Sequence, residues 1–105
     1  MILKVLAIGD TYGEPGRKVV EQVVSRMKRS GEVDFVLCNA ENAAGGAGIT
    51  ESIARELFTV GCDVLTGRDH FFDKRREVED YLKKETRLLR PSNFPKGLPG
   101  IGSCT

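Results

Sequence analysis

The chain has 105 residues, of which 40% are hydrophobic and 30% are charged, with a formal net charge of +1 at pH 7. This length allows a single domain at most, and the composition is that of a globular protein rather than a disordered one. The near-neutral charge gives no support to a protein that coats duplex nucleic acid or a membrane surface. No apolar run approaches the roughly 18 residues of a transmembrane helix.

The cysteine content indicates a reducing compartment. Cys38, Cys62 and Cys104 are odd in number, widely spaced and without a CxxC pair. This spacing disfavours both a disulfide framework and a zinc knuckle. We therefore expect a cytoplasmic protein.

The first half of the chain alternates strand-like and helix-like segments. Residues 2–9 form a nearly continuous apolar run, which is typical of a strand buried on both faces. A loop over residues 9–16 leads to a helix, with Pro15 at or just before its first turn, and apolar residues recur at helical spacing up to Gly31. The second strand is predicted from Asp34 to Cys38.

The second half continues the alternation. Thr50 is the predicted N-cap of a helix that ends at Gly61, and a third strand covers residues 63–66. A third helix is predicted over residues 73–84, followed by an extended, loosely structured tail over 87–105. The βαβαβα order predicts an α/β fold with a parallel sheet and right-handed crossovers. Residues 1–105 are expected to form one domain, or part of a larger one.

Polar residues follow each predicted strand. Asp10 comes after the first strand, Glu41 and Asn42 after the second, and Asp69 and His70 after the third. Since ligands of parallel sheets bind beyond the carboxyl ends of the strands, these side chains are expected to share one edge. Carboxylate, amide and imidazole groups suit Mn²⁺, Mg²⁺, Fe or Zn²⁺, and several carboxylates on one edge resist ionisation unless a cation lies between them. The alternative is that they are ordinary capping and loop residues.

The loop after the second strand is rich in glycine, with Gly45, Gly46 and Gly48 in four residues. Glycines permit positive φ and close approach of the backbone to a ligand, and such loops before helices often hold anions. This pattern is compatible with a phosphate site above the metals. A solvated loop without function is the competing interpretation.

Several motifs together resemble a known family. They are Ile8-Gly9-Asp10, Gly13-Glu14-Pro15-Gly16-Arg17, Asn39-Ala40-Glu41-Asn42-Ala43-Ala44-Gly45-Gly46 with Gly48-Ile49-Thr50, and Arg87-Leu88-Leu89-Arg90-Pro91 with Asn93. In these motifs the chain resembles the amino-terminal part of the YmdB-like 2',3'-cyclic-nucleotide 2'-phosphodiesterases, a bacterial family of calcineurin-like metallophosphoesterases. The resemblance implies the first half of a metallophosphatase αββα sandwich.

The resemblance also implies a role for each candidate residue. Asp10 and Asn42 would be ligands of one metal, Glu41 would bridge two, and Asp69 would bind the second. His70 would donate a proton to the leaving group while a metal-bound hydroxide attacks the phosphorus. The implied cofactor is one or two divalent ions, and the implied substrate is a phosphodiester or nucleotide such as a 2',3'-cyclic nucleotide.

Two departures from the family pattern leave a second hypothesis open. The chain reads Arg68-Asp69-His70 where the family has Gly-Asn-His, and it lacks the three further histidines that the family supplies from its carboxy-terminal half. The first hypothesis is a metal-dependent phosphoesterase, or the front half of one, whose missing ligands come from a second subunit or from water. The second is a non-catalytic α/β half-domain that self-associates or binds a partner. A half-sheet with an uncovered apolar face favours a homo-oligomer in both cases.

Overall fold

The structure, a computed structural model, describes residues 1–105 and contains one parallel sheet of four strands. The strands are β1 (Val5–Ile8), β2 (Phe35–Asn39), β3 (Val64–Thr66) and β4 (Leu88–Leu89), and they lie in the order β1-β2-β3-β4. Each strand therefore pairs with the next one in the chain, and all carboxyl ends meet at one edge. The predicted α/β fold with a parallel sheet is confirmed.

Three α-helices connect the strands. They are α1 (Gly13–Ser30), α2 (Glu51–Val60) and the short α3 (Glu79–Leu82), and a 3-10 turn at Arg75–Glu77 precedes α3. The N-cap prediction for α2 is confirmed, since the Thr50 hydroxyl accepts a hydrogen bond from the backbone N–H of Ile53 at 3.3 Å. No helix has both the length and the apolar character that crossing a bilayer requires.

The helices cover one face of the sheet. On that face Val36, Cys38, Leu65 and Leu88 are fully buried, and they join Val24 of α1 and Leu57 of α2 in the main core. The opposite face, here called the open face, carries apolar side chains that remain partly accessible. They are Val5, Phe35, Leu37, Val64 and Leu89. The molecule is thus a two-layer structure whose open face carries no helix and is only partly covered, with Cys104 and Thr105 beside its apolar side chains.

The prediction for the first strand was wrong in length and burial. β1 covers residues 5–8 rather than 2–9, and Ile2 and Val5 are 84% and 51% exposed. β1 pairs only with β2, so it is an edge strand, and the open face leaves half of its side chains without a partner layer. A continuous apolar run therefore does not distinguish an edge strand from a central one.

The predicted third helix over residues 73–84 was also wrong, because only the 3-10 turn and α3 are helical there. The interruption falls at Val78, whose φ of −134° leaves the helical region. Val78 is 1% exposed, and Tyr81 and Leu82 are buried just after it. These three side chains have the i, i+3, i+4 spacing of one helical face, so their burial does not by itself explain the break at Val78.

The segment 87–105, predicted as a loose extended tail, is tied to the sheet. It contains β4, and Leu89 forms a further parallel bridge to Ile101. The backbone N–H of Arg90 donates to the carbonyl of Ile101 at 3.0 Å, which closes the intervening residues into a loop. The absence of strand-like alternation in this proline-containing stretch concealed the pairing.

Candidate functional site

Two of the predicted site residues contact each other directly. Asp10 follows β1 and Asn42 follows β2, and the side-chain amide of Asn42 donates to the two carboxylate oxygens of Asp10 at 2.9 and 3.0 Å. The two loops are joined by the backbone as well, because Gly13 N–H donates to the Asn42 carbonyl at 2.9 Å. Asn42 is buried whereas Asp10 is exposed. The carboxylate therefore faces solvent from a fixed position.

Glu41 is the most deeply buried carboxylate of the chain, with an exposed fraction of 2%. One of its oxygens accepts a hydrogen bond from the backbone N–H of His70 at 3.2 Å, and the other lies 3.9 Å from Nε of Arg68. A backbone donor and a guanidinium beyond hydrogen-bond distance compensate a buried negative charge only in part. This position favours an additional cation.

His70 and Asp69 lie at the same edge but face outward. Nδ1 of His70 is 2.9 Å from Asp73, and Nε2 is 3.6 Å from Asp69, with the imidazole about half exposed. The hydrogen bond to Asp73, followed by the negative charges of Asp69 and Asp73, raises the pKa of His70 above its ordinary value. The structure thus links His70 to Glu41 through the backbone, and places the Asp69 side chain on the imidazole.

Sequence reasoning missed Asp73, which orients the imidazole. Its signal was the spacing of three residues between His70 and an acidic side chain, which in a helical turn brings the two groups together. Asp73 was instead assigned to the start of the predicted third helix, so its pairing with His70 was not recognised.

Arg17 was interpreted as a helix-surface arginine, with the steering of phosphate as the alternative. The structure instead turns its guanidinium toward the glycine-rich loop, where it donates to the carbonyl of Ala43. The Nε atom of Arg17 is buried without a hydrogen-bond partner. Gly46 has a φ of +95°, which favours glycine, and a Cβ there would lie 2.5 Å from the hydroxyl of the exposed Tyr12 side chain. The first turns of α1 therefore hold the loop that carries Glu41 and Asn42.

The donor set fits part of the coordination shell of a hard divalent cation. Asp10 and Glu41 bring carboxylates to one edge, and the charge of Glu41 is incompletely compensated. Asn42 faces Asp10 with its amide nitrogen, and its oxygen would have to turn toward the cation to become a ligand. No three side chains of His, Cys, Asp or Glu form a compact group suited to a metal ion. The residues present thus fit an incomplete site, and their assignment as metal ligands stays a prediction.

The comparison with protein families decides the relationship. Residues 6–105 match the family model described as YmdB-like protein. The chain belongs to the YmdB-like family. The predicted family relationship is thereby confirmed.

Individual relatives agree with this assignment. The YmdB-like chain is 41% identical over 100 residues to the 2',3'-cyclic-nucleotide 2'-phosphodiesterase of Bacillus subtilis, covering 95% of this chain. Its fold is similar, with a TM-score of 0.86 and 36% identity over 95% of the chain, to a hypothetical protein of Thermus thermophilus. A novel phosphatase from Mycoplasma pneumoniae gives the same TM-score of 0.86, with 25% identity over 97% of the chain.

These relatives are much longer than the YmdB-like chain. The chain spans 38% of the Bacillus relative, 38% of the Thermus chain and 37% of the Mycoplasma chain. The sheet and the loops around Asp10, Glu41 and Asn42 thus correspond to a little over one third of each relative.

Proposed function

We propose that this chain carries part of the active site of a metal-dependent phosphoesterase that hydrolyses phosphodiesters, 2',3'-cyclic nucleotides among them. The observation that carries the proposal is Glu41, a carboxylate that is 2% exposed with only one hydrogen-bond donor and a guanidinium at 3.9 Å. The contact of Asp10 with Asn42 at the same edge supports it. The activity for which the Bacillus relative is named supplies the substrate class.

In this proposal Asp10, Glu41 and Asn42 would hold one divalent ion, and Glu41 and Asp69 would hold a second. Fe, Mn, Mg and Zn are all compatible with these oxygen donors. A bound divalent ion supplies positive charge for the phosphoryl oxygens and lowers the pKa of water. His70 would hold the proton for the leaving alkoxide at Nε2, which lies 3.6 Å from Asp69, while Asp73 orients the imidazole through Nδ1.

The test is hydrolysis of bis-p-nitrophenyl phosphate and of 2',3'-cyclic AMP by the purified 105-residue chain with added Mn²⁺. We expect Glu41→Gln, which keeps the shape of the side chain, to reduce the rate by at least about 100-fold, as does loss of one charge-stabilising group elsewhere. The matched control is Glu21→Gln, an exposed carboxylate on α1. Activity that persists both in Glu41→Gln and in the presence of a chelator would contradict the proposal.

A second candidate function is a non-catalytic half-domain that self-associates, and the open face favours it. Phe35, Leu37, Val64 and Leu89 leave an apolar surface on the side of the sheet that lacks helices. We propose a homo-oligomer with this face buried, an arrangement in which a second subunit can also bring ligands to the site. Sedimentation of the wild-type chain and of Leu37→Asp tests this, since the variant should be monomeric. A wild-type chain that is monomeric at high concentration removes the idea.

We also propose that the protein works as one domain in the cytoplasm. The three cysteines are free thiols, and two of them, Cys38 and Cys62, are buried in the core. Free thiols are typical of reducing compartments. Fractionation of the native host cell, with detection of the chain by antibody, tests the location.

A further inference from the structure

A cavity of about 300 Å³ lies beside the candidate site. It is lined by Gly67, Arg68, Asp69, Pro91, Asn93 and Phe94. The first three residues follow β3 and the last three follow β4, so the cavity opens at the edge of the sheet where Glu41 lies. Its volume is at the lower end of the range of about 300–1,000 Å³ for small-molecule sites.

The lining combines three kinds of group. Arg68 supplies a guanidinium whose side chain is 74% exposed and whose one charged partner, Glu41, is 3.9 Å away. Asn93 supplies an amide that can donate and accept, and Phe94 supplies an aromatic face. A guanidinium binds a phosphate, an amide hydrogen-bonds the polar edge of a base, and an aromatic ring stacks on the face of a base.

The aromatic wall is anchored in the core. Phe94 leans on Phe72, with ring centroids 5.9 Å apart and planes at 31°, and Phe72 meets the fully buried Phe71 edge-to-face at 5.1 Å. This row of three rings fixes the position of Phe94 in the absence of a ligand. A ring that is already ordered loses little conformational entropy when a base stacks on it.

The loop that contains Asn93 and Phe94 is held in place by contacts with residues 100–102 near the end of the chain. A Cβ at Gly102 would lie 2.6 Å from Cα of Ser92, so the two backbones are in close contact there. Arg90 donates from its backbone to Ile101 at 3.0 Å and from its side chain to Gly100 at 3.3 Å. The loop that contains Asn93 is thereby closed at its base.

From these features we infer that the cavity binds the nucleoside part of a nucleotide. Phe94 stacks on the base, Asn93 hydrogen-bonds its edge or the ribose, and Arg68 donates to the phosphate at the boundary with Glu41. The inference rests on the proposed function, because it assigns a place to the part of the substrate that does not react. It adds that this chain distinguishes nucleotides from other phosphodiesters.

The experiment titrates 2',3'-cyclic AMP, ribose 5-phosphate and inorganic phosphate into the metal-free 105-residue chain, with binding followed by backbone amide NMR shifts. We expect the cyclic nucleotide to bind more tightly than ribose 5-phosphate. Phe94→Ala should weaken cyclic nucleotide binding by about fivefold or more, as loss of a base-stacking ring does, and leave phosphate binding unchanged. The matched control is Phe58→Ala, a half-buried phenylalanine of α2 outside the cavity.

The possible outcomes distinguish failure of the nucleoside-binding inference from failure of the proposed phosphoesterase function. Equal binding of the cyclic nucleotide and ribose 5-phosphate, or equal weakening by Phe94→Ala and Phe58→Ala, overturns the inference. Failure of the wild-type chain to bind the nucleotide, with Glu41-dependent hydrolysis of bis-p-nitrophenyl phosphate intact, overturns the inference alone. Phe94-dependent nucleotide binding without hydrolysis at any metal concentration overturns the proposed function alone.

If Phe94→Ala does not fold, Asn93→Ala decides the matter, because residue 93 is exposed and its substitution leaves the core intact. We expect this variant to bind 2',3'-cyclic AMP about 2- to 10-fold more weakly, the effect of one lost hydrogen bond, with inorganic phosphate unaffected. Unchanged nucleotide binding in Asn93→Ala overturns the inference.

Discussion

The side-chain amide of Asn42 donates to both carboxylate oxygens of Asp10, at 2.9 and 3.0 Å. The contact crosses from the loop after β2 to the loop after β1, so it reports directly on how the sheet brings the candidate site together. Asn42 therefore fixes the Asp10 carboxylate through its amide nitrogen.

Replacing Asn42 by Asp should make folding depend on a divalent ion. The variant places two carboxylates in contact, and like charges at this distance repel each other unless a cation lies between them. We expect a lower melting temperature than wild type in chelator and a larger upward shift on addition of Mn²⁺, measured by thermal unfolding. Gln22→Glu adds a carboxylate in place of an amide on the exposed surface of α1 and serves as the control. An equal Mn²⁺ response in both variants would show that no ion binds at Asp10.

Replacing Arg68 by Gln should strengthen divalent-ion binding. The guanidinium lies 3.9 Å from Glu41 and repels any cation that the carboxylate recruits. Because unit charges about 4 Å apart interact by about 1 kcal/mol in water, we expect affinity for Mn²⁺ to rise by about 3- to 10-fold. Calorimetric titration measures the change, with the exposed Arg76→Gln as the control. Weaker Mn²⁺ binding in Arg68→Gln would instead make Arg68 a support of the metal site.

Gly67 should not tolerate a side chain. A Cβ at this position would lie 2.1 Å from Cδ2 of Phe71, which is fully buried and cannot turn away without disturbing the core. Overpacking of this kind destabilises by about 1–3 kcal/mol, so we expect Gly67→Ala to lower the free energy of unfolding by that amount. Urea denaturation measures it. Gly9→Ala, where a Cβ meets nothing within 4 Å, should be close to wild type.

The ion pair of Glu85 with Arg87 should contribute stability that depends on pH. Two hydrogen bonds from the Arg87 side chain, at 2.7 and 3.0 Å, lower the pKa of Glu85 below its ordinary value. A lowered pKa in the folded state means that the contribution is complete above the ordinary carboxyl pKa and is lost as pH falls through the folded value.

We therefore expect Glu85→Gln to be less stable than wild type at pH 7, by about 1 kcal/mol or less since Arg87 is half exposed. The difference should shrink below pH 4.5, the ordinary value for this carboxyl, and vanish when Glu85 is protonated. Urea midpoints measured from neutral to acid pH follow the difference, with Glu56→Gln, an exposed carboxylate of α2, as the control. If the stability difference between wild type and Glu85→Gln grew toward acid pH, the pKa of Glu85 would not be lowered by folding, and the prediction would be wrong.

Local signals were enough to predict much of the framework. The strand over Phe35–Asn39 and the helix that begins after Thr50 were predicted because their apolar periodicity and capping residue act within a few positions of each other. The placement of Asp10 beside Asn42 followed from the general geometry of parallel sheets. These inferences need no knowledge of the tertiary contacts.

Features that form only in the folded chain were not predicted. The helix break at Val78 is a change of backbone conformation, with φ of −134°, that the helical spacing of residues 78, 81 and 82 does not indicate. The pairing of Leu89 with Ile101 and the contact of Arg17 with Ala43 join segments whose proximity arises only after folding. The cavity walls around Asn93 were missed for the same reason.

The sheet order β1-β2-β3-β4 has a consequence for protein synthesis, because the strands pair in the order in which the ribosome makes them. The contact between Asp10 and Asn42 spans 32 positions, and both residues precede His70 in the chain. Chains that fold as they emerge acquire their amino-terminal contacts first. Since the carboxylate–amide pair joins only the loops after the first two strands, its closure on the nascent chain does not require β4 to have been paired.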